Sequence, residues 1–329
     1  MHKIDFSKYK DVPPYMFIPF AEGTIMDMSY HDRWDIPDKI GITVAPVGAF
    51  VKRDQNPYQP YTPEEIIKEC TEAVEAGACG VHIHVRDKEG NPSSDRSMTL
   101  QVVNALRERF GDTIYIEGES NTGPDFETMM QPLVEDYLEN AAVNCMADFI
   151  GDALFCLPPQ TCRATAEVIQ ACGKKVTLAV YNAGDIDNTY RWIIKPGIVK
   201  PPFCWGICIG TPGGAPMWDP LGMAETLVGV IRRIRDVDPS DKPFMTVCQA
   251  GRASSYLSAL AILLGCNVRV GKEDAIHVVP HKDDKIVSCK DAVEQHVALA
   301  RLLGREPMTA AEYRVANAMA PYEYKGAYS

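Results

Sequence analysis

Two histidines one residue apart lie in GVHIHVRD, Gly80 to Asp87. Residues two apart on a strand share a face, so His82 and His84 point together. Two imidazoles aimed at one point are a common start for a zinc site. A lone histidine is more often satisfied by a neighbour; the H-x-H pair at a strand end tips the balance to metal. A catalytic zinc needs a third protein ligand and an open fourth position. NVRVGKED, Asn267 to Asp274, offers Glu273, after a strand ending at Val270 and a turn that Gly271 allows. Arg269 lies just upstream and Asp274 just after. Read by itself, this Lys-Glu-Asp run is a solvated surface turn. IGTPGG, Ile209 to Gly214, can bring backbone amides close to an anion through Gly213 and Gly214, and CQAGR, Cys248 to Arg252, adds a cation at a strand end. Alone, IGTPGG reads better as a tight loop, and CQAGR either binds phosphate or carboxylate or only caps a helix.

Such a constellation needs elements that carry distant residues to one place. Candidate strands are Ile40–Ala45, Gly80–Val85, Thr113–Glu117, Val143–Phe149, Val176–Tyr181, Cys204–Ile209, Phe244–Cys248 and Asn267–Val270. Several are rich in β-branched residues and bounded by Gly or Pro, as buried parallel strands are. Amphipathic helical patterns lie between them. One opens at Thr62, with Pro63 at the first helical position and Glu65 completing a capping box. Alternating strands and helices predict a parallel sheet, and eight such units match a (β/α)8 TIM barrel. The rival doubly wound sheet lacks a G-x-G-x-x-G after its first strand. The predicted layout is an N-terminal extension over 1–38, rich in aromatics and Met and packing on the barrel or a neighbouring subunit. A barrel over 39–310 follows, then a C-terminal helix and mobile tail over 311–329.

Composition narrows the function classes. The chain has 329 residues, 46% hydrophobic and 23% charged, enough for a large core. Its net charge is −11, and no Lys/Arg cluster forms a nucleic-acid footprint. No apolar run reaches the length of a membrane helix. The 11 cysteines are irregularly spaced, mostly in apolar runs, and suit a reducing compartment. The first residues, MHKIDFSKYKDV, contain no apolar stretch of a signal peptide. A cytoplasmic enzyme is expected.

Taken together, the segments resemble the β-keto acid cleavage enzyme family. The matching pieces run in order: QNPYQPYTPEE (Gln55–Glu65), AGACGVHIHVRDKEGNPS (Ala76–Ser93), IGTPGG, the AGR of Ala250–Arg252, VRVGKED (Val268–Asp274) and GREPMT (Gly304–Thr309). The likeness spans about residues 39 to 310. It implies a TIM barrel, a zinc ion and a homo-oligomer, often a tetramer. It also implies a transferase reaction in which a β-keto acid and acetyl-CoA become acetoacetate and a new CoA thioester. By motif position His82, His84 and Glu273 are the zinc ligands. Arg269 and Asp274 handle the proton and the developing enolate, with Arg269 expected to lower the pKa of Asp274. Ser120, at the end of the third strand, corresponds to a substrate-contacting serine.

Four positions depart from the family pattern. Phe50 stands where amine-handling members have a Glu, and suits an apolar tail or a quaternary ammonium. Ala179 replaces a catalytic-region Glu on the fifth strand. Asp148 replaces a Thr on the fourth, where it is expected to face the mouth and compensate. Lys272 replaces a Leu-type residue in the G-x-E-D turn. A zinc-dependent hydrolase or aldol-type lyase without CoA is the rival enzyme reading, with His277 and His281 as extra ligands; a degenerate metal- or ligand-binding barrel is the non-enzymatic one.

Overall fold

The computed structural model describes residues 2–12, 29–118 and 123–329. It divides into two compact units, 1–36 and 37–329. In the first, a single 3-10 turn at Phe6–Tyr9 starts where the Asp5 side chain accepts the Ser7 amide.

The second unit is a closed barrel of eight parallel strands. In chain order these are β1 (Ile42–Val44), β2 (Gly80–Ile83), β3 (Tyr115–Gly118), β4 (Asn140–Asn144), β5 (Lys175–Val180), β6 (Cys204–Ile207), β7 (Phe244–Cys248) and β8 (Asn267–Val270). Each is followed by a helix: α1 (Pro63–Glu75), α2 (Arg96–Phe110), α3 (Phe126–Val134), α4 (Pro159–Ala171), α5 (Ala183–Thr189), α6 (Pro220–Val237), α7 (Ser254–Leu263) and α8 (Cys289–Leu302). The barrel closes where β8 pairs with β1, Arg269 beside Thr43. Outward residues such as Val44, Val81, Val143, Leu178, Ile207 and Val268 are fully buried against the helices. Burial of each such side chain contributes about 1.5–3 kcal/mol. The predicted cap of α1 forms: Thr62 accepts the Glu65 amide at 3.3 Å, and Glu65 accepts the Thr62 amide at 3.0 Å.

The inward positions alternate with that apolar set and are small or polar, among them Asn140, Thr177, Cys204 and Thr246. A usual barrel fills this space with Val, Ile and Leu; here it leaves a cavity with about 660 Å³ of empty space, the open mouth included. Its N-terminal end is closed by α9 (Ala310–Ala316), whose Tyr313 packs on Tyr115 and Phe244 with ring centroids 4.9 and 5.3 Å away. Gly41 permits this, since a Cβ there would lie 2.5 Å from the Tyr313 ring.

Arg305, from GREPMT, ties the chain ends of the barrel together. It is buried and donates to the carbonyls of Pro37, Lys39, Ile262 and Cys266. Beside it Lys39–Ile40 pairs with Glu306–Pro307, so the first predicted strand is two short ones. The fourth predicted strand needs a larger correction. The barrel strand is Asn140–Asn144, and the apolar run then turns into a separate antiparallel hairpin, Ala147–Ile150 with Ala153–Cys156. The run VNCMADFI over Val143–Ile150 is mostly apolar on both sides of that turn, which concealed it. The tail is docked: Asn104 exchanges hydrogen bonds with the Tyr328 backbone, and Arg96 donates to the Ser329 carbonyl.

Candidate metal centre and active site

The H-x-H pair lies across the C-terminal end of β2, His82 within the strand and His84 just after it. Both are 7% exposed, and their Nε2 atoms approach to 3.1 Å. The turn after β8 brings Glu273 to them, with Oε1 at 3.6 Å from His82 Nε2 and 3.5 Å from His84 Nε2. Among the described residues, these three form a group whose ligand atoms lie within 4.8 Å of one another. Three electron-pair donors facing one point, with the second Glu273 oxygen buried and lacking a hydrogen bond, match a two-His, one-carboxylate donor set. The residues present therefore fit a divalent cation.

Two devices hold Glu273 there. Gly48, after β1, lies against it so closely that a Cβ would fall inside the Glu273 side chain. That stretch is held by Arg86, the arginine of H-x-H-x-R. Arg86 is fully buried and donates to the carbonyls of Gly48 and Val51, each at 2.6 Å. Behind the turn, Gln59 donates to the Lys272 carbonyl at 2.6 Å, and Asn56 to that of Ile286 at 2.9 Å. The QNPYQP segment is thus a brace for the ligand turn. Lys272 is fully buried, its Nζ bound by Tyr58 O at 2.7 Å, Glu69 Oε1 at 2.8 Å and Val287 O at 3.2 Å. The solvated-turn reading of Lys-Glu-Asp is therefore overturned.

Arg269 points inward from β8 and grips Asp274 with two bonds, Nε to Oδ2 at 2.9 Å and Nη2 to Oδ1 at 2.6 Å. It also reaches Glu273 Oε1 at 3.2 Å. For Glu273, burial works to raise the pKa, but Arg269, His82 and His84 outweigh it and hold the carboxylate well below its usual range. For Asp274 the balance is reversed. Burial pushes its carboxyl up, Glu273 adds to that, and Arg269 offsets only part. Arg269 pulls the Asp274 pKa down as expected, but burial and Glu273 together leave it raised.

The remaining expected residues lie apart from this core. Asp148 is on the hairpin, not on a barrel strand. Its Oδ2 accepts from Asn182 Nδ2 at 2.7 Å, and Asn144 occupies the barrel position it was expected to fill. Ala179 lines the cavity. Gly213, at φ +93°, lies under the hairpin, where a Cβ would come 2.5 Å from the Phe149 carbonyl; Gly214 adjoins Asp148. Phe50 is 48% exposed. Ser120 lies outside the described residues. His277 contacts Lys285 at 3.0 Å and His281 contacts Tyr256 at 3.1 Å; neither joins the three-residue group.

Sequence reasoning passed over Glu117. It sits inside the barrel on β3, in register beside His82, with Oε1 3.5 Å from His82 Nδ1. The available signal was a carboxylate two residues from Tyr115 in a strand otherwise fit for burial.

Fold and site together define a (β/α)8-barrel enzyme with a candidate metal centre and an arginine–aspartate pair at the strand ends. The chain belongs to the beta-keto acid cleavage enzyme family, whose sequence model matches residues 39–317. It is 32% identical over 286 residues to the 3-keto-5-aminohexanoate cleavage enzyme of Fusobacterium nucleatum, covering 84% of this chain and 97% of that one. To the 3-dehydrocarnitine:acetyl-CoA trimethylamine transferase of Rhizobium meliloti it is 26% identical, covering 84% and 95%. The solved structure of ObcA in binary complex with oxaloacetate shares the fold at a TM-score of 0.68 and 18% identity, covering 80% of this chain and 68% of that one. No described helix is long and apolar enough to cross a membrane.

Proposed function

We propose that this protein is a zinc-dependent β-keto acid cleavage enzyme of the cytoplasm, turning a β-keto acid and acetyl-CoA into acetoacetate and a new acyl-CoA. The observation that carries the reading is the convergence of His82, His84 and Glu273 beside the bidentate Arg269–Asp274 pair. Zinc bound by the three would polarise a β-keto oxygen as a Lewis acid. Asp274 takes a proton from C2 of the acid, and Arg269 holds that carboxylate in place while facing the negative charge that develops. The C2 carbanion bonds to the thioester carbonyl and expels the CoA thiolate. The thiolate then adds at C3, the C2–C3 bond breaks, and its electron pair stays on C2. A proton returned to C2 completes acetoacetate, and the C3 fragment leaves as the CoA thioester.

Ala179 leaves room in the cavity, and Phe50 offers an exposed aromatic face. Both suit an acid with an apolar or trimethylammonium tail, and the similarity to the Rhizobium meliloti 3-dehydrocarnitine enzyme supports the second. Ser120, Gly213 and Gly214 complete the substrate contacts. We assign Asp148 to holding the mouth through Asn182 instead of to proton transfer. The reading includes a homo-oligomer, a tetramer, to whose contacts the 1–38 segment is assigned.

The test is a panel of β-keto acids with acetyl-CoA, following acetoacetate release and including a trimethylammonium acid. Acetoacetate formed only when both substrates are present supports the reading. Turnover without any thioester overturns it.

A further inference from the structure

We propose that Glu117 is a positioning residue for the metal centre: its carboxylate accepts from the Nδ1–H of His82 and so keeps the Nε2 lone pair facing His84 and Glu273. The inference rests on the metal reading above and adds a residue that no motif of the chain marked. A neutral imidazole carries one N–H, and the partner of that N–H decides which nitrogen is left to bind.

For His82 the two nitrogens face different surroundings. Nε2 looks at His84 Nε2 at 3.1 Å and Glu273 Oε1 at 3.6 Å. Nδ1 is buried, has no hydrogen bond within ordinary limits, and meets Glu117 Oε1 at 3.5 Å. The placement follows from the barrel itself. His82 and Glu117 are register partners on β2 and β3, so both point inward one strand apart, about 4.8 Å.

The other end of the carboxylate is also arranged. Tyr115, two residues back on the same face of β3, donates its hydroxyl to Glu117 Oε2 at 2.8 Å. That leaves Oε1 for the imidazole. The side chains of His82 and Glu117 are only 9% and 15% exposed. Among the described residues, Glu117 has no ion pair with a lysine or arginine; its ion-pair contact is His82. Burying a carboxylate is costly by itself, and the Tyr115 hydroxyl and the Arg269 charge offset that cost. Electron-pair donation from the far nitrogen of the ring to a cation strengthens the pair further, because the carboxylate raises the basicity of the ligand.

The experiment measures the zinc dissociation constant by chelator competition, and the zinc off-rate, on full-length wild type, E117Q and E273Q. Apo-protein melting temperatures are taken alongside. Outer-shell partners of this kind are worth roughly 10–100-fold in metal affinity. The expectation is that loss for E117Q at an unchanged apo melting temperature. An affinity within twofold of wild type overturns the proposal. Should E117Q fail to fold, Y115F removes the hydroxyl that orients the carboxylate; it is expected to weaken zinc binding by at least about threefold, and an unchanged constant overturns the proposal. Wild type that binds no zinc would instead sink the metal reading. Zinc bound by wild type, lost in E273Q and kept in E117Q sinks only the role of Glu117.

Discussion

Lys272→Met tests the brace behind the metal turn. The substitution keeps the length of the side chain and removes its charge. In the structure the ammonium is fully enclosed and serves Tyr58 O, Glu69 Oε1 and Val287 O. Without it, Glu69 keeps one described donor, the Cys289 amide at 2.8 Å, while its side chain stays 15% exposed. Breaking a buried ion pair from one side costs about 3–5 kcal/mol. The two carbonyls add little beyond that figure, since losses within one network are not additive. For a domain of this size, with an unfolding entropy of about 2.1 cal/mol/K per residue, such a loss lowers the melting temperature by roughly 5–8 °C. Replacing both partners by apolar residues is often close to neutral, so Lys272→Met with Glu69→Leu should recover more than half of it. Because Lys272 adjoins Glu273, the single variant should also bind zinc more weakly. Thermal unfolding of wild type, both single variants and the double variant completes the cycle. A single variant within about 1 kcal/mol of wild type, or a double variant no better than the single, would refute this reasoning.

Two further outcomes follow from other parts of the molecule. Asp274→Asn should keep zinc and lose roughly 10²–10⁴-fold in turnover, since it removes the assigned base and leaves the three ligands; full turnover with zinc retained would remove Asp274 from that role. His296 is fully buried, and burial lowers its pKa from 6.5 to about 4. Above pH 6.5 neither state gains from protonation; below it the unfolded chain takes up a proton that the folded chain refuses until about pH 4. Stability is therefore lost on acidification across that window, by about 1.4 kcal/mol per pH unit. His296→Leu should remove roughly 2 kcal/mol of the loss between pH 7 and pH 5, read by denaturant unfolding at the two pH values.

The barrel was legible because buried parallel strands are dense apolar runs, and seven of the eight barrel strands fall where those runs predict them, within a few residues at each end. The fourth was misplaced because the chain leaves the barrel strand through two apolar residues, Cys145 and Met146, both fully buried, so nothing polar marks the break. That single error moved Asp148 from the hairpin into the barrel. The convergence of His82, His84 and Glu273 was legible because strand alternation fixes His82 and His84 on one face, and a Gly-led turn delivers Glu273. Partners remote in the chain were not legible. Lys272 meets Glu69 203 residues away, and nothing local distinguishes a buried lysine from a solvated one. Glu117 was missed for a related reason, as its meaning appears only when β2 and β3 pair in register. Arg86 was read as part of a motif, yet its work is to hold the loop that seats Gly48 against Glu273.

The most direct test is elemental analysis of the full-length protein purified without added metal, with acetoacetate-forming turnover measured before and after chelation. The account predicts close to one zinc per chain, loss of turnover with the zinc, recovery on its return, and no zinc retained by His84→Ala or Glu273→Gln. Full turnover in protein free of any divalent metal would contradict it.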